Sequence, residues 1–378
     1  ADDARKAGFE LVHLERKDNL LSYQCVKRGN ADEIIRNSAH VVSTHYSVPF
    51  TDHAFLEPEC AVAEMEGEGV HIFSGDQGVY QTRKECSMML GLPPEQVRVT
   101  AMMVGGGFGG KEDMSVQHHA ALACWLLKRP VKVRFTRAES LLIHPKRHAM
   151  EMDFTTACDE NGKLTAMRAR IIADSGAYAS LGGPVLQRAC THAAGPYNYQ
   201  DVDIEGYAYY TNNPPGGAFR GFGVTQSCFA TECNLNQLAE KVGMTPFEFR
   251  YLNGIRPGQV LPNGQIADET TALIETLDAV RPIIERNPKA GIACAIKNSG
   301  LGVGVPDVGR CRIEVLDGKL HLHSSAACIG QGMGTIQTQF VKEITGLPLD
   351  RIIYHVPDTS SAPNSGNTTA SRQTLFTG

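Results

Sequence analysis

A short pattern occurs twice in this chain of 378 residues and constrains its fold more than any single motif. Each copy has a Gln-Gly pair, a segment with the apolar spacing of a helix, a GLP turn and a strand. Gln77 lies 14 residues before Gly91 of GLPPEQV, and Gln331 lies 15 residues before Gly346 of GLPLDRI. Such a repeat indicates related supersecondary units. We predict two similar units, each delivering a Gln and a small-residue loop at strand ends, which suits a large ligand held between two related lobes.

The periodicity of apolar residues predicts a mixed α and β protein. It favours strands at residues 39–50, 69–74, 97–104, 131–135 and 352–356, and helices at residues 79–90, 115–128, 224–242, 245–253 and 268–285. Two further strands, at residues 150–156 and 164–173, flank the turn DENGK, which has Asn161-Gly162 at its tip. The predicted fold class is α+β, and the length allows two or three packed domains.

The composition excludes several function classes. Apolar residues make up 42% of the chain, charged residues 20%, and the net charge is −5, so we expect no nucleic-acid or membrane partner. No apolar run approaches the roughly 18 residues of a spanning helix, and no secretory leader is found. The 11 cysteines include no C-x-x-C pair, which favours reduced thiols in a cytoplasmic protein and disfavours zinc or iron–sulfur ligation by this chain.

Glycine is enriched, at 38 residues, and much of it lies in small-residue loops. Gly105, Gly107 and Gly110 of VGGGFGGKED fit the dinucleotide fingerprint G-x-G-x-x-G. The same stretch fits a phosphate-binding loop except at Glu112, where a Ser or Thr hydroxyl should meet magnesium. The dinucleotide interpretation lacks a ribose-binding acid, because the next strand ends in Arg137. A tight structural turn explains these glycines but not the further loops PPGGAFRGFG and DTSSAPNSGNTTAS.

Three segments, VGGGFGGKED, GGAFRGFG and IGQGMGT, in this order and spacing resemble the molybdenum-binding subunit of the xanthine dehydrogenase and aldehyde oxidase family. The resemblance runs from about Asn30 to Gly378. It implies two related mixed α/β lobes: 30–286 as the first molybdopterin-binding lobe and 287–378 as the start of the second, with 1–29 as a remnant of a preceding domain and linker. It also implies molybdopterin with molybdenum, as the cytosine dinucleotide, and iron–sulfur clusters and FAD on other domains or subunits.

The resemblance also implies roles for individual residues. Gln77 matches the Gln that hydrogen-bonds an oxo or sulfido ligand of molybdenum, and Phe222 matches the aromatic residue that stacks on substrate. Contacts to the cofactor are implied for Gly107, Phe108, Gly109, Phe219, Arg220, Gln331, Thr368, Ala370 and Ser371. No side chain is implied as a direct metal ligand, because the pterin holds the molybdenum.

Two residues indicate the substrate class. Glu112 falls where purine hydroxylases of this family carry a substrate-facing Glu, and Arg188, 32 residues before Arg220, falls where they carry a substrate-facing Arg. The implied reaction is hydroxylation of a purine or related N-heterocycle at a carbon next to a ring nitrogen, with water as the oxygen source. Arg220, Arg188 and Glu112 would orient the ring, beside the aromatic residues Phe108 and Phe222. A structural salt bridge is the alternative role for Arg188.

Other functions stay open. An aldehyde or nicotinate hydroxylase, a pterin-binding scaffold without catalysis and a dinucleotide-dependent dehydrogenase remain alternatives. A copper-dependent carbon monoxide dehydrogenase is disfavoured, because Gly221 stands where that relative carries a Cys. The Glu that serves this family as general base does not match Gly67-Glu68 of EMEGEGVH, so we expect it on the remaining C-terminal part of the large subunit.

Overall fold

The computed structural model describes residues 1, 3–6, 8–287, 289–302, 304 and 306–378. They form two compact units: unit 1 contains Ala1–Thr51, Arg147–Gly216 and Gly221–Lys297, and unit 2 contains Asp52–Lys146, Gly217–Arg220 and Asn298–Gly378. These units are discontinuous, whereas the predicted lobes 30–286 and 287–378 are sequential. Residues 20–28, expected within a linker over 1–29, form a strand of unit 1 because they pair with residues 202–209.

The helices and strands have the following bounds, in chain order: β1 (Leu20–Arg28), α1 (Ala31–Asn37), β2 (His40–Val48), β3 (Cys60–Glu66), β4 (Gly69–Ser74), α2 (Val79–Leu90), β5 (Val97–Ala101), α3 (Gln117–Leu127), β6 (Val131–Arg134), α4 (Arg137–Ile143), β7 (Met150–Cys158), β8 (Leu164–Asp174), α5 (Gly182–Thr191), β9 (Asp201–Tyr209), α6 (Val224–Val242), α7 (Pro246–Asn253), α8 (Leu273–Arg286), β10 (Arg312–Leu316), β11 (Lys319–His323), α9 (Met333–Thr345), β12 (Ile352–His355) and α10 (Gln373–Phe376). Within the described residues, no helix is long and apolar enough to cross a membrane.

Unit 1 is built on a sheet with the strand order β1-β9-β8-β7-β2. The predicted hairpin of β7 and β8 is confirmed as an antiparallel pair, and Asp159 shapes its turn by accepting from the backbone N–H groups of Asn161 and Lys163. β8 and β9 are parallel, with α5 in the connection between them. Apolar side chains of the sheet, such as Met152 and Ile171, form one buried core with residues of α5 and α6.

Unit 2 contains the repeat, and both copies have the same topology. In the first, β3 and β4 form an antiparallel hairpin, and β4 pairs in parallel with β5 across α2. In the second, β10 and β11 form the hairpin, and β11 pairs in parallel with β12 across α9. Both helices end at a left-handed glycine, Gly91 (φ 67°) or Gly346 (φ 69°), where any side chain would be strained. The predicted similarity of the two copies of the repeat is therefore confirmed, because both have the same strand topology.

The two repeats contact each other through the segment that follows β12. The backbone N–H of Ala101 donates to Pro357 O (2.8 Å), and that of Thr359 donates to Val99 O (3.0 Å). Between these bonds, the Asp358 carboxylate accepts from the Arg98 guanidinium and from the Thr100 hydroxyl. This contact brings the loops after β5 and β12 to neighbouring positions within unit 2.

Candidate functional site

The glycine-rich loop at residues 105–110 begins shortly after β5 and is held by the Gln77 carboxamide. Gln77 Oε1 accepts from the backbone N–H groups of Gly109 (2.9 Å) and Lys111 (3.3 Å). A Cβ at Gly107 would lie 2.6 Å from the same oxygen, so a side chain there would displace Gln77. Gln77 is buried and immediately precedes Gly78, the residue at the start of α2. The start of a helix therefore fixes the amide that organises this loop.

Gln77 also binds the loop at residues 364–371. Its Nε2 donates to Thr368 O (2.7 Å), and the Thr368 backbone N–H donates to Gln77 O (2.7 Å). The Thr368 hydroxyl donates to Ala327 O (2.8 Å), which also accepts from Gln331 Nε2 (3.1 Å). The predicted residues Gln77, Gln331 and Thr368 thus lie on one hydrogen-bonded path, although Gln331 is exposed and Gln77 is buried.

The segment at residues 217–220 contacts the glycine-rich loop directly. The Arg220 backbone N–H donates to Phe108 O (2.8 Å), and a Cβ at Gly109 would lie 2.9 Å from Ala218 O. On the other side, the His53 ring stacks on Phe219, with 4.0 Å between the ring centroids. Residues 217–220 thus contact the glycine-rich loop, and Gln77 joins that loop to residues 364–371; all three segments belong to unit 2.

Sequence reasoning missed the pair that supports the start of the glycine-rich loop. Glu57 Oε2 accepts from the Gly105 backbone N–H (2.6 Å) and from Lys111 Nζ (2.8 Å). Lys111 is only 4% exposed, so its ammonium group depends on this carboxylate. The Lys in GGKED was visible in the sequence, but its partner stands 54 residues earlier and had no local signal.

Arg372 was also missed, and it organises the loop at residues 364–371. Its guanidinium donates to Ser365 O (2.6 Å), Asn367 O (3.2 Å) and Val308 O (2.6 Å) and pairs with the Asp307 carboxylate. The side chain is 1% exposed, so these partners replace its hydration. Ala370 and Ser371, which precede it, have left-handed backbones with φ of 48° and 53°. Arg372 thus holds a strained loop that contains three of the predicted contacts.

Glu112 follows the glycine-rich loop and has an unusual carboxyl group. Its Oε1 is buried and has no hydrogen-bond partner among the described residues. Burial raises the pKa of Glu112 to about 8, and nearby Asp113 raises it further, against a hydrogen bond with Thr369 that lowers it. The group is therefore largely a neutral acid at neutral pH, able to donate as well as accept a hydrogen bond.

Two of the predicted residues belong to unit 1. Arg188 lies on α5, and burial lowers the pKa of its guanidinium below the ordinary value. Phe222, with φ 52°, precedes α6 and packs against the core of unit 1. The expectation that Arg188 and Glu112 of unit 2 orient the same substrate ring stays a prediction.

Comparison with known proteins identifies the family. A family profile described as molybdopterin cofactor-binding domain matches residues 12–254, and a second profile with the same description matches residues 278–378. The chain belongs to the molybdopterin-binding large-subunit family of xanthine dehydrogenase and aldehyde oxidoreductase.

Relatives of this molybdopterin-binding chain differ in the substrates that their names state. It is 33% identical over 373 residues to a probable xanthine dehydrogenase subunit of Bacillus subtilis, covering 96% of this chain and 50% of that protein. It is 39% identical over 264 residues to the nicotinate dehydrogenase large molybdopterin subunit of Eubacterium barkeri, covering 70% of this chain and 62% of that protein. The aldehyde oxidoreductase structure from Desulfovibrio gigas superposes with a TM-score of 0.91 at 29% identity, covering 99% of this chain and 43% of that one. The chain therefore spans about half the length of these relatives.

The donor set in unit 2 fits the large anionic cofactor of this family. The backbone N–H groups of Gly330, Gly332, Met333 and Gly334, at the start of α9, converge on the Cys328 thiol. Burial alone would raise the pKa of Cys328, but these four donors outweigh it and lower the pKa. A cluster of N–H groups at a helix start also favours phosphate oxygens. This cluster of donors is suited to a phosphate oxygen of the pterin cofactor.

Proposed function

We propose that this chain is the molybdopterin-binding half of a xanthine dehydrogenase-like hydroxylase. Its substrate is a purine or related N-heterocycle, oxidised at a carbon next to a ring nitrogen with water as the oxygen source. The observation that carries the proposal is Glu112, a buried carboxyl group with an unpartnered oxygen next to the converged loops.

The chemistry of the two substrate classes explains why Glu112 matters. A purine edge presents N–H and C=O groups, and a largely neutral carboxyl group can accept from the first and donate to the second. An aldehyde has no such edge, so a buried acid would lose its hydration without gaining a partner. A pocket built around polar partners rejects ligands that lack them by a factor of order ten thousand in favourable cases. Glu112 therefore favours a heterocycle.

The other predicted residues receive binding and orienting roles. When bound, the cofactor supplies the molybdenum centre that takes up the electrons of the oxidation. One N–H of Gln77 Nε2 donates to Thr368 O, and we assign the second N–H to a ligand of that centre. Gly107, Phe108, Gly109, Phe219, Gln331, Thr368, Ala370 and Ser371 line the cofactor, while Arg220, Arg188 and Phe222 orient the substrate ring and stabilise developing charge.

The remaining parts of the enzyme are proposed from the family. Iron–sulfur clusters and FAD on other domains or subunits carry the electrons away, and the cofactor is the cytosine dinucleotide form. The general base, a Glu, belongs to the remaining C-terminal part of the large subunit. We place the enzyme in the cytoplasm, with no nucleic-acid or membrane partner.

A nicotinate-type hydroxylase is the second candidate, favoured by the 39% identity to the Eubacterium barkeri protein. Nicotinate is also an N-heterocycle, but its carboxylate requires a cation. Arg188 would serve that carboxylate, whereas a purine would use Glu112 and Arg188 together.

Kinetics of the complete enzyme with Glu112→Val test the proposal. Purine turnover should fall by an amount equivalent to roughly 2 to 4 kcal/mol, by analogy with the deletion of one transition-state hydrogen-bond donor. Turnover of small aldehydes should persist or increase, because an aldehyde loses no partner. Glu68→Gln, in the exposed turn between β3 and β4, is the control. Equal losses on both substrates would assign Glu112 to folding or cofactor binding and overturn the substrate assignment.

A further inference from the structure

Three histidines and a glutamate share one face of the sheet formed by β10, β11 and β12. His321 and His323 are two residues apart on β11, so their side chains project to the same side. His355 of β12 is in register with His323, and Glu314 of β10 is in register with His321. The opposite face carries buried Leu320, Leu322 and Ile352. We call His321, His323, His355 and Glu314 the histidine face.

The side chains of the histidine face are within reach of one another. His321 Nδ1 and His355 Nε2 are 2.8 Å apart, so one ring donates to the other. The rings of His323 and His355 are parallel, with 4.2 Å between centroids. His323 Nε2 lies 3.3 Å from Glu314 Oε2, and the same oxygen also pairs with the Arg312 guanidinium at 3.3 Å. His323 is 7% exposed, and neither of its ring nitrogens has a hydrogen-bond partner among the described residues. Buried polar groups without partners are rare in folded proteins and require an explanation.

The first repeat shows that the fold does not require these histidines. His71 and Glu64 occupy the register positions of His321 and Glu314. At the positions of His323 and His355, however, the first repeat carries Phe73 and Thr100. The same hairpin and parallel strand therefore form with an apolar ring and a hydroxyl. The architecture therefore does not require the two additional histidines of the second repeat.

We propose that the histidine face binds a divalent transition-metal ion of the zinc class. Imidazole nitrogens and a carboxylate are preferred ligands of such ions, and a catalytic or structural zinc takes four ligands in a tetrahedron. His321 Nδ1 and His355 Nε2 already face each other, and they need only separate to the roughly 3.3 Å that two Zn–N bonds of about 2.0 Å subtend. The ring that now donates must shift its proton to its other nitrogen.

The remaining ligands require a side-chain rotation. As the side chains are placed in the described ranges, no group of three or more His, Cys, Asp or Glu could hold a metal ion. His323 is stacked on His355, so its ring must turn about the Cβ–Cγ bond to present a nitrogen, and Glu314 is partly exposed and can follow it. The ion would join β10, β11 and β12 and satisfy one of the two buried His323 nitrogens.

Zinc titration of the complete protein tests this inference. Equilibrium dialysis at neutral pH should show one tightly bound zinc, and zinc should raise the melting temperature, because a ligand of the folded state stabilises it. His323→Phe and His355→Thr, which install the residues of the first repeat, should each weaken zinc binding by more than about tenfold. Cobalt bound to the unaltered protein should give the intense visible absorption of a tetrahedral site, a readout that needs no variant.

Two histidine variants are matched controls. His71→Gln removes the equivalent histidine of the first repeat, and His45→Gln removes an exposed histidine that lies between Asp153 and Glu151 in unit 1. Both should bind zinc like the unaltered protein. The inference is overturned if zinc does not bind, if His323→Phe and His355→Thr bind it unchanged, or if His45→Gln abolishes binding. None of these outcomes depends on the proposed hydroxylase activity.

Discussion

Gln77→Ala should destabilise unit 2 more than the equivalent change in the second repeat. The buried carboxamide makes three hydrogen bonds, two from the N–H groups of Gly109 and Lys111 and one to Thr368 O. A net loss of about 0.5 to 1.5 kcal/mol for each of the three bonds gives about 1.5 to 4.5 kcal/mol, towards the upper end because the partners stay buried. Truncation also leaves a cavity, which adds to the loss.

The second repeat supplies the matched control. Gln331 is exposed and bonds only nearby backbone, the N–H of Ile329 and the carbonyl of Ala327. Gln331→Ala should therefore cost less than about 1 kcal/mol, as exposed substitutions usually do. Both glutamines are assigned to the cofactor, so both variants should lose molybdenum, whereas only Gln77→Ala should lose stability without the cofactor.

Chemical denaturation of the cofactor-free proteins measures these losses of unfolding free energy. The slopes of the transitions are compared, because only an unchanged slope lets a shifted midpoint be read as a change in stability. A third variant, Gln77→Glu, keeps the acceptor oxygen for Gly109 but places a carboxylate oxygen against Thr368 O, 2.7 Å away in the native pair. The unfolding free energy of Gln77→Glu should lie between that of the unaltered protein and that of Gln77→Ala. Equal stability of Gln77→Ala and Gln331→Ala would refute the view that Gln77 holds the two loops together.

Three further predictions concern charged residues. Arg372→Met, which removes the guanidinium but keeps a side chain of similar length, should destabilise the protein by about 3 to 5 kcal/mol and lower its cofactor content, because Asp307 and three carbonyls lose their donor. Chemical denaturation and metal analysis would measure these losses, and an unchanged melting curve would contradict the prediction. Burial alone would raise the pKa of Asp358, but bonds from Arg98, Ser360 and Thr100 outweigh it and hold the pKa well below the ordinary range. The ionised Asp358 carboxylate therefore stabilises the folded protein above the unfolded pKa of about 3.9, and this contribution is lost as pH falls. Asp358→Asn should lower the free energy of unfolding by about 2 to 3 kcal/mol at neutral pH and weaken the dependence of the melting temperature on acid pH. The raised pKa of Glu112, about 8, has the opposite effect on stability: the contribution of the neutral acid is present below the unfolded pKa and is lost as pH rises towards 8. Glu112→Gln should therefore make the melting temperature less dependent on pH between the unfolded pKa and 8. An unaltered slope of melting temperature against pH would contradict the burial argument.

The sequence predicted the elements with strong periodicity and clear ends. The bounds of β4, α2 and α6 were predicted to the residue, because apolar spacing and flanking glycines mark both ends. The strand predicted at 97–104 ends at Ala101: the Met102 backbone N–H still donates to Ser74 O of β4, and the chain then leaves the sheet for the glycine-rich loop. Helix α5 was missed because GGPVLQRACT begins with Gly-Gly-Pro and has no side-chain cap.

The candidate site was only partly accessible from sequence. Gln77, Phe108 and Thr368 were named through family resemblance, and the structure places them in contacting loops. Glu57 and Arg372, which hold those loops, were not predicted, because their ion-pair partners, Lys111 and Asp307, stand 54 and 65 residues away and such pairs leave no local periodicity. The histidine face was missed for a related reason, since His355 meets His323 only through strand register.

Cofactor binding is the central claim, and molybdenum content tests it most directly. The complete protein, purified from a host that loads a control molybdoenzyme, should contain about one molybdenum per chain, released by acid together with a fluorescent oxidised pterin. Protein that is folded, by its melting transition, yet contains neither molybdenum nor pterin while the control is loaded would contradict the account.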